Sequence, residues 1–276
     1  MSAVSLAMPA LRKDDLLLHY DDVGQGAPVL FLQGVGVTRH AWAPQVRALS
    51  AAYRCIAVDH RGIGGSEGSL DGLDVDRMAR DALALVESLG LPRVHVVGHS
   101  LGGVVAQRFA LIAPERTASL ALLCTFAGGR DLARPSARLV WLGLRSRVGT
   151  RAMRRAAFAR LVSPESLIAE RGLEVVATEL EEAFGRPLSS PPSVSDRQLA
   201  ALRGHDERER LGELSGIPTF VASGALDPIA EPRFGKALAS AIGSATYREW
   251  AEASHALPIH NADEVNDALR AHFAHA

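Results

Sequence analysis

Apolar positions along this chain follow two alternating spacings. Short, nearly continuous apolar runs occupy residues 16–21, 28–33, 53–59, 93–98, 119–124, 217–223 and 246–250. Their length suits buried strands better than helices. Between them lie segments with a 3.6-residue period. The clearest is residues 75–89, where Met78, Ala82, Leu85, Val86 and Leu89 share one face. Residues 101–113, 231–242 and 262–273 repeat the pattern. Apolar strands separated by helices predict an α/β fold, a doubly wound, mostly parallel sheet covered on both faces. The rhythm breaks at residues 128–212, where no strand run occurs. Helices are expected there at 138–148, 150–161, 166–184 and 196–211, with a Pro/Ser turn at 187–193. The organisation expected is a core domain of residues 1–127 and 213–276, with residues 128–212 inserted between two strands as a helical cap or lid.

Composition adds constraints. Hydrophobic residues make up 47%, enough for a core without staples, and the formal net charge is −1. That balance argues against nucleic acid and anionic membranes as partners. The basic stretch Arg151-Ala152-Met153-Arg154-Arg155 has apolar residues interleaved and reads as a solvated helix face. The cysteines, Cys55 and Cys124, lie in strand-like runs and read as buried free thiols. No disulfide framework is implied, which suits a reducing, cytoplasmic setting. Residues 1–10 lack the basic and apolar regions of a secretory signal, and no apolar run reaches membrane-spanning length. The charged run at residues 203–210 reads as a solvated helix end; its His205-Asp206 pair has no further ligands at metal-binding spacing. No metal or organic cofactor is expected. The partner expected is a small-molecule substrate, with nothing indicating a homo-oligomer.

The chemistry is concentrated at Gly98-His99-Ser100-Leu101-Gly102, a G-x-S-x-G pattern directly after one strand run and directly before a helical one. Such an elbow holds its serine in a strained turn above the carboxyl edge of the sheet. The following helix N-terminus favours developing negative charge there. On an elbow of this kind the nucleophile, acid and base follow in that chain order. Of the ten histidines, His205, His255, His260, His272 and His275 come late enough. His272 and His275 are expected to be exposed on the terminal helix, His205 lies in the charged run, and His260 reads as a helix start. His255 follows the 246–250 strand by a short loop, which also places it at the carboxyl edge. The acid should follow the preceding strand, where Asp227 precedes Pro228. Alone, Asp227 reads better as a turn residue or helix cap than as a catalytic acid. In order with Ser100 and His255, it completes a catalytic triad. The oxyanion donors expected are the backbone N–H of Leu101 and that of Val35, in the loop Gln33-Gly34-Val35-Gly36.

From about Leu16 onward the chain resembles the capped α/β-hydrolase superfamily. The resemblance rests on Gln33-Gly34, on Asp59-His60-Arg61-Gly62-Ile63-Gly64-Gly65-Ser66, and on Gly98-His99-Ser100-Leu101-Gly102-Gly103. It continues through Ser223-Gly224-Ala225-Leu226-Asp227 and Ser254-His255-Ala256-Leu257-Pro258. Within the superfamily the sequence is similar to the branch of enol-lactonases, small carboxylesterases, carbon–carbon bond hydrolases and cofactor-free perhydrolases. Gln33 stands where the family usually has histidine, so the loop's hydrogen bonding should differ or Gln33 should face substrate. That branch is mixed in substrate, so the resemblance implies the mechanism, an acyl-enzyme on Ser100, more than a substrate; the leading expectation is a carboxylic ester hydrolase or lactonase acting on a small, largely apolar carbonyl compound. The alternatives are carbon–carbon hydrolysis of a ketone, a slow-turnover ligand receptor and an acyltransferase. A haloalkane or epoxide hydrolase would need aspartate at position 100. Leu139, Val140, Trp141, Leu144 and Phe158 are candidate pocket residues, and Arg145, Arg147 and Arg154 are candidate anion contacts.

Overall fold

The computed structural model describes residues 9–133 and 135–276. The absence of a signal sequence was read from residues 1–10, and residues 1–8 lie outside the described ones. An antiparallel pair opens the chain: β1 (Ala10–Lys13) and β2 (Leu16–Val23). Next come β3 (Ala27–Leu32), α1 (Ala43–Leu49), β4 (Tyr53–Val58), α2 (Val75–Ser88), β5 (Val94–His99), α3 (Leu101–Ile112) and β6 (Thr117–Leu123). After a helical segment of five helices follow β7 (Thr219–Gly224), α9 (Pro232–Ile242), β8 (Thr246–Trp250), α10 (Leu257–His260) and α11 (Ala262–Ala274). The strands form one eight-stranded sheet in the order β1-β2-β4-β3-β5-β6-β7-β8. From β4 to β8 every pairing is parallel. Residues such as Leu30, Ile56, Val96 and Leu120 are fully buried, because helices cover both faces of a parallel sheet.

The break in rhythm between β6 and β7 is helical. It holds α4 (Ala137–Arg145), α5 (Arg151–Val162), α6 (Glu165–Arg171), α7 (Leu173–Phe184) and α8 (Ser195–Arg203). Two expectations are corrected here. The single helix expected at 166–184 is split at Gly172, whose φ of +86° and ψ of 141° end one helix and start another. The helix expected at 196–211 stops at Arg203. The charged run then turns back so that Gly128 bridges Asp206 and Glu207 N–H donates to Ala127 O. Leu142, Ala159, Leu161, Val176 and Leu180 form a hydrophobic cluster of their own with Val37, Ala41 and Ala256. Those last three lie in the connections that follow β3 and β8 at the carboxyl edge of the sheet, so the insertion packs above that edge. Ala201 and Leu202 of α8 join the core of the sheet instead. Among the described residues no helix is long and apolar enough to cross a membrane.

Candidate active site

Ser100, Asp227 and His255 come from loops at the carboxyl ends of β5, β7 and β8, where parallel sheets gather their ligands. Ser100 has φ 55° and ψ −122°, a rare conformation for a residue with a side chain. Its N–H donates to Leu123 O at 3.1 Å, and its carbonyl accepts from Thr125 Oγ1 at 2.7 Å and from Gly103 N–H at 2.9 Å. The flanking glycines have steric reasons. A Cβ on Gly98 would lie 2.3 Å from Gly102 O, and one on Gly102 would lie 2.0 Å from Leu32 O.

Ser100 Oγ lies 3.0 Å from His255 Nε2, and His255 Nδ1 lies 2.8 Å from Asp227 Oδ2. All three residues are buried. The other carboxylate oxygen, Asp227 Oδ1, accepts from Ile229 N–H at 2.8 Å and Ala230 N–H at 2.9 Å. Burial pushes the Asp227 carboxyl upward, but the His255 charge, its hydrogen bond and the two backbone donors outweigh that. The net displacement is below the ordinary carboxylate value. The loops that carry Asp227 and His255 are stapled together: Ala225 N–H donates to Trp250 O at 2.9 Å and Leu226 N–H to Ala253 O at 2.9 Å. The insertion grips the histidine loop as well, with Ala256 N–H donating to Val162 O at 2.8 Å.

His99 points away from Ser100 and donates from Nε2 to the His255 carbonyl at 2.8 Å. Burial, aided by the neighbouring His255 charge, pushes its imidazole down to about 3, so it stays neutral. Leu101 is the first residue of α3, so its N–H has no carbonyl one turn back. The amides around Val35 are engaged: Gly34 N–H donates to Gln33 Oε1 at 3.1 Å and Gly36 N–H to Gln198 Oε1 at 2.8 Å. Among the described residues Val35 N–H meets no such acceptor. Gln33 is buried and folded onto its own loop, where its Oε1 accepts from Gly34 N–H. The Arg61 loop is structural: buried Arg61 makes a two-pronged ion pair with Asp81, both contacts at 2.7 Å.

A cavity of about 580 Å³ opens over Ser100 and His255. Leu139, Val140, Leu144 and Phe158 line it, as does Arg147; Trp141, expected there, instead lies 59% exposed. His272, expected to be exposed, is half-buried near Phe220, which pushes it down to about 4. His260 meets Ser163 Oγ at 2.9 Å. Arg186 lines the cavity and was not singled out from the sequence; alone in a Gly-Arg-Pro turn, it carries no periodic or motif signal.

A strained serine turn beside a buried His–Asp pair, at the carboxyl edge of a parallel sheet, is an arrangement suited to a hydrolase of the α/β type. The chain belongs to the alpha/beta hydrolase fold family, whose model matches residues 27–262. Among its relatives, RutD of Variovorax paradoxus, a candidate carbamate hydrolase, is 33% identical over 262 residues, covering 91% of this chain and 94% of RutD. The enol-lactonase of Burkholderia xenovorans LB400 superposes with a TM-score of 0.78 at 26% identity, covering 96% of this chain and all of that one. A thermophilic esterase of Thermogutta terrifontis superposes with a TM-score of 0.75 at 28% identity, covering 92% of each chain.

Proposed function

We propose that this hydrolase cleaves an ester or lactone of a small, largely apolar carbonyl compound through an acyl-enzyme on Ser100. The observation that carries the reading is the line of contacts Ser100 Oγ–His255 Nε2–Asp227, at 3.0 and 2.8 Å. His255 takes the proton of Ser100 as Oγ attacks the carbonyl carbon. Asp227 fixes the tautomer that leaves Nε2 free to accept, and stabilises the imidazolium formed. The carbonyl oxygen, now an oxyanion, receives hydrogen bonds from Val35 and Leu101 N–H, each worth about 2.7–4 kcal/mol by analogy with other acyl-transfer sites. His255 then returns the proton to the departing alkoxide, and the acyl-enzyme remains. Water, deprotonated by the same imidazole, releases the acid. The helical insertion acts as a cap that limits water and substrate size.

Similarity to RutD supports a second reading, a carbamate as substrate, for which the same attack and acyl transfer serve. The test is a panel of p-nitrophenyl esters, lactones and aryl carbamates, assayed with wild type and Ser100→Ala. Ester or lactone turnover that falls about a million-fold in the variant is the expected result. Equal turnover by the variant would remove Ser100 from the mechanism, and carbamates preferred over every ester would replace the first reading with the second.

A further inference from the structure

The cavity is apolar over most of its wall but carries an unbalanced positive charge. Arg147, Arg186 and Arg203 line it, and among the described residues its wall holds one carboxylate, Asp196. Arg147 and Asp196 neutralise each other at 2.7 Å. Arg186 has no ion-pair partner among the described residues. Its Nε donates to Gly36 O at 2.6 Å and its Nη1 to Pro187 O at 3.1 Å, both neutral carbonyls. Its guanidinium sits over the rings of Phe158 and Phe184, 5.6 and 5.8 Å from their centroids. Burial without a compensating anion pushes the group down to about 10. A desolvated cation that no carboxylate offsets costs stability, and an incoming anion would repay that cost.

The surroundings are polar to match. Ser195 lines the same cavity, is 5% exposed, and has its Oγ buried without a hydrogen-bond partner among the described residues. Its Oγ lies against Gly36, where a Cβ would come within 2.5 Å. Gln198, fully buried, spends Oε1 on Gly36 N–H and leaves Nε2 without a partner. Arg186 and Ser195 therefore converge on Gly36, next to Val35. A Cβ on Gly34 would in turn lie 3.2 Å from Ser100 Cβ. At about 3.8 Å per Cα step, this corner lies a few bonds along the substrate from the carbonyl that Ser100 would attack.

From this juxtaposition we infer that Arg186 and Ser195 form a subsite for a carboxylate on the substrate, a few bonds from the scissile carbonyl. Arg186 contributes charge and a donor fork, and Ser195 contributes a hydroxyl. Phe158 and Phe184 hold the guanidinium plane. The inference rests on the ester or lactone reading and narrows it to substrates that are apolar except for one anionic end.

Two measurements separate the inference from that reading. The first compares the p-nitrophenyl monoester of a short dicarboxylic acid with the same ester whose second carboxyl is methylated. Wild type should favour the free carboxylate by roughly tenfold to a hundredfold in kcat/KM. Arg186→Gln should cut that ratio at least about tenfold, Arg186→Lys should keep part of it, and Ser195→Ala should lower it less. Taking the ratio cancels any general effect on the neighbouring oxyanion loop. The second titrates glutarate into Ser100→Ala protein by calorimetry, with and without Arg186→Gln. Glutarate binding weakened about tenfold or more by Arg186→Gln supports the subsite even if no ester is turned over; that loss of turnover would sink the esterase reading alone. A charge ratio near one in wild type, a ratio unmoved by Arg186→Gln, or glutarate binding indifferent to Arg186 would overturn the inference.

Discussion

Ser100 stores strain that its neighbours impose. Its φ of 55° with ψ of −122° is a backbone that glycine adopts freely and other residues adopt at a cost of about 1–3 kcal/mol. Leu123 O, Thr125 Oγ1 and Gly103 N–H fix both of its peptide groups in place. This strain puts Oγ above the sheet edge, toward His255, rather than into the first turn of α3. Replacing Ser100 by alanine keeps the strain, and replacing it by glycine removes it. Ser100→Gly should therefore be about 1 kcal/mol more stable than Ser100→Ala, both being inactive in the proposed mechanism. Urea unfolding of the two variants checks this; equal midpoints would show that the elbow is relaxed. The same steric logic is what made the elbow legible. Gly98 and Gly102 are glycine because backbone atoms occupy the places of their Cβ atoms, and such a requirement is written in the residue type. Arg186 was not legible for the complementary reason. Nothing in an arginine's identity says whether a carboxylate will stand beside it, since that depends on how separate elements pack.

Among elements, the strands and the long helices were read closely because burial enforces their periodicity. β8 is found at the 246–250 expected, and α2 ends one residue short of the 75–89 expected. Elements set by tertiary contacts rather than by pattern were missed: the edge strand β1, and α1 and α10, which run only seven and four residues. Gly172 escaped because apolar residues on either side, Ile168 and Val176, keep the helical phase across the break while the backbone does not. The basic stretch at residues 151–155 also proved more than a solvated face. Arg155 bridges α5 to α7, with Nε 3.0 Å from Glu181, Nη1 2.6 Å from Glu174 and Nη2 2.8 Å from Thr178 Oγ1. Glu174 is largely exposed, so the clamp's strength comes chiefly from the half-buried Glu181. Arg155→Ala should lower stability by about 1 kcal/mol. Hydrogen exchange should show the loss in α5 and α7 while β5 and β6 keep their protection. Uniform loosening of the sheet would mean that the insertion and the sheet unfold as one unit.

At the scale of the whole molecule, the buried imidazoles set how the fold answers to acid. His99 is pushed from 6.5 to about 3, and His260 and His272 from 6.5 to about 4, in each case first by burial. They sit in three separate places: beside Ser100, under the insertion against Ser163, and on the terminal helix near His95 and Phe220. An unfolded chain takes up protons on all three as the pH falls through 6.5, whereas the folded chain accepts them only near 4 and 3. Because the unfolded state binds more protons across that interval, each step down in pH favours unfolding. Stability should be nearly flat above neutrality and fall progressively from 6.5 toward 4, ahead of the loss below about 3.8 when the Asp227 carboxylate is protonated. His260 and His272 are only half-buried, so the sum should be discounted to a few kcal/mol between about pH 7.5 and about pH 5. Denaturant unfolding at those two values measures it directly. His272→Gln, which has no proton to gain, should flatten part of the slope. A stability curve with no decline between neutrality and pH 5 would show that the unfolded chain does not outbid the fold for these protons.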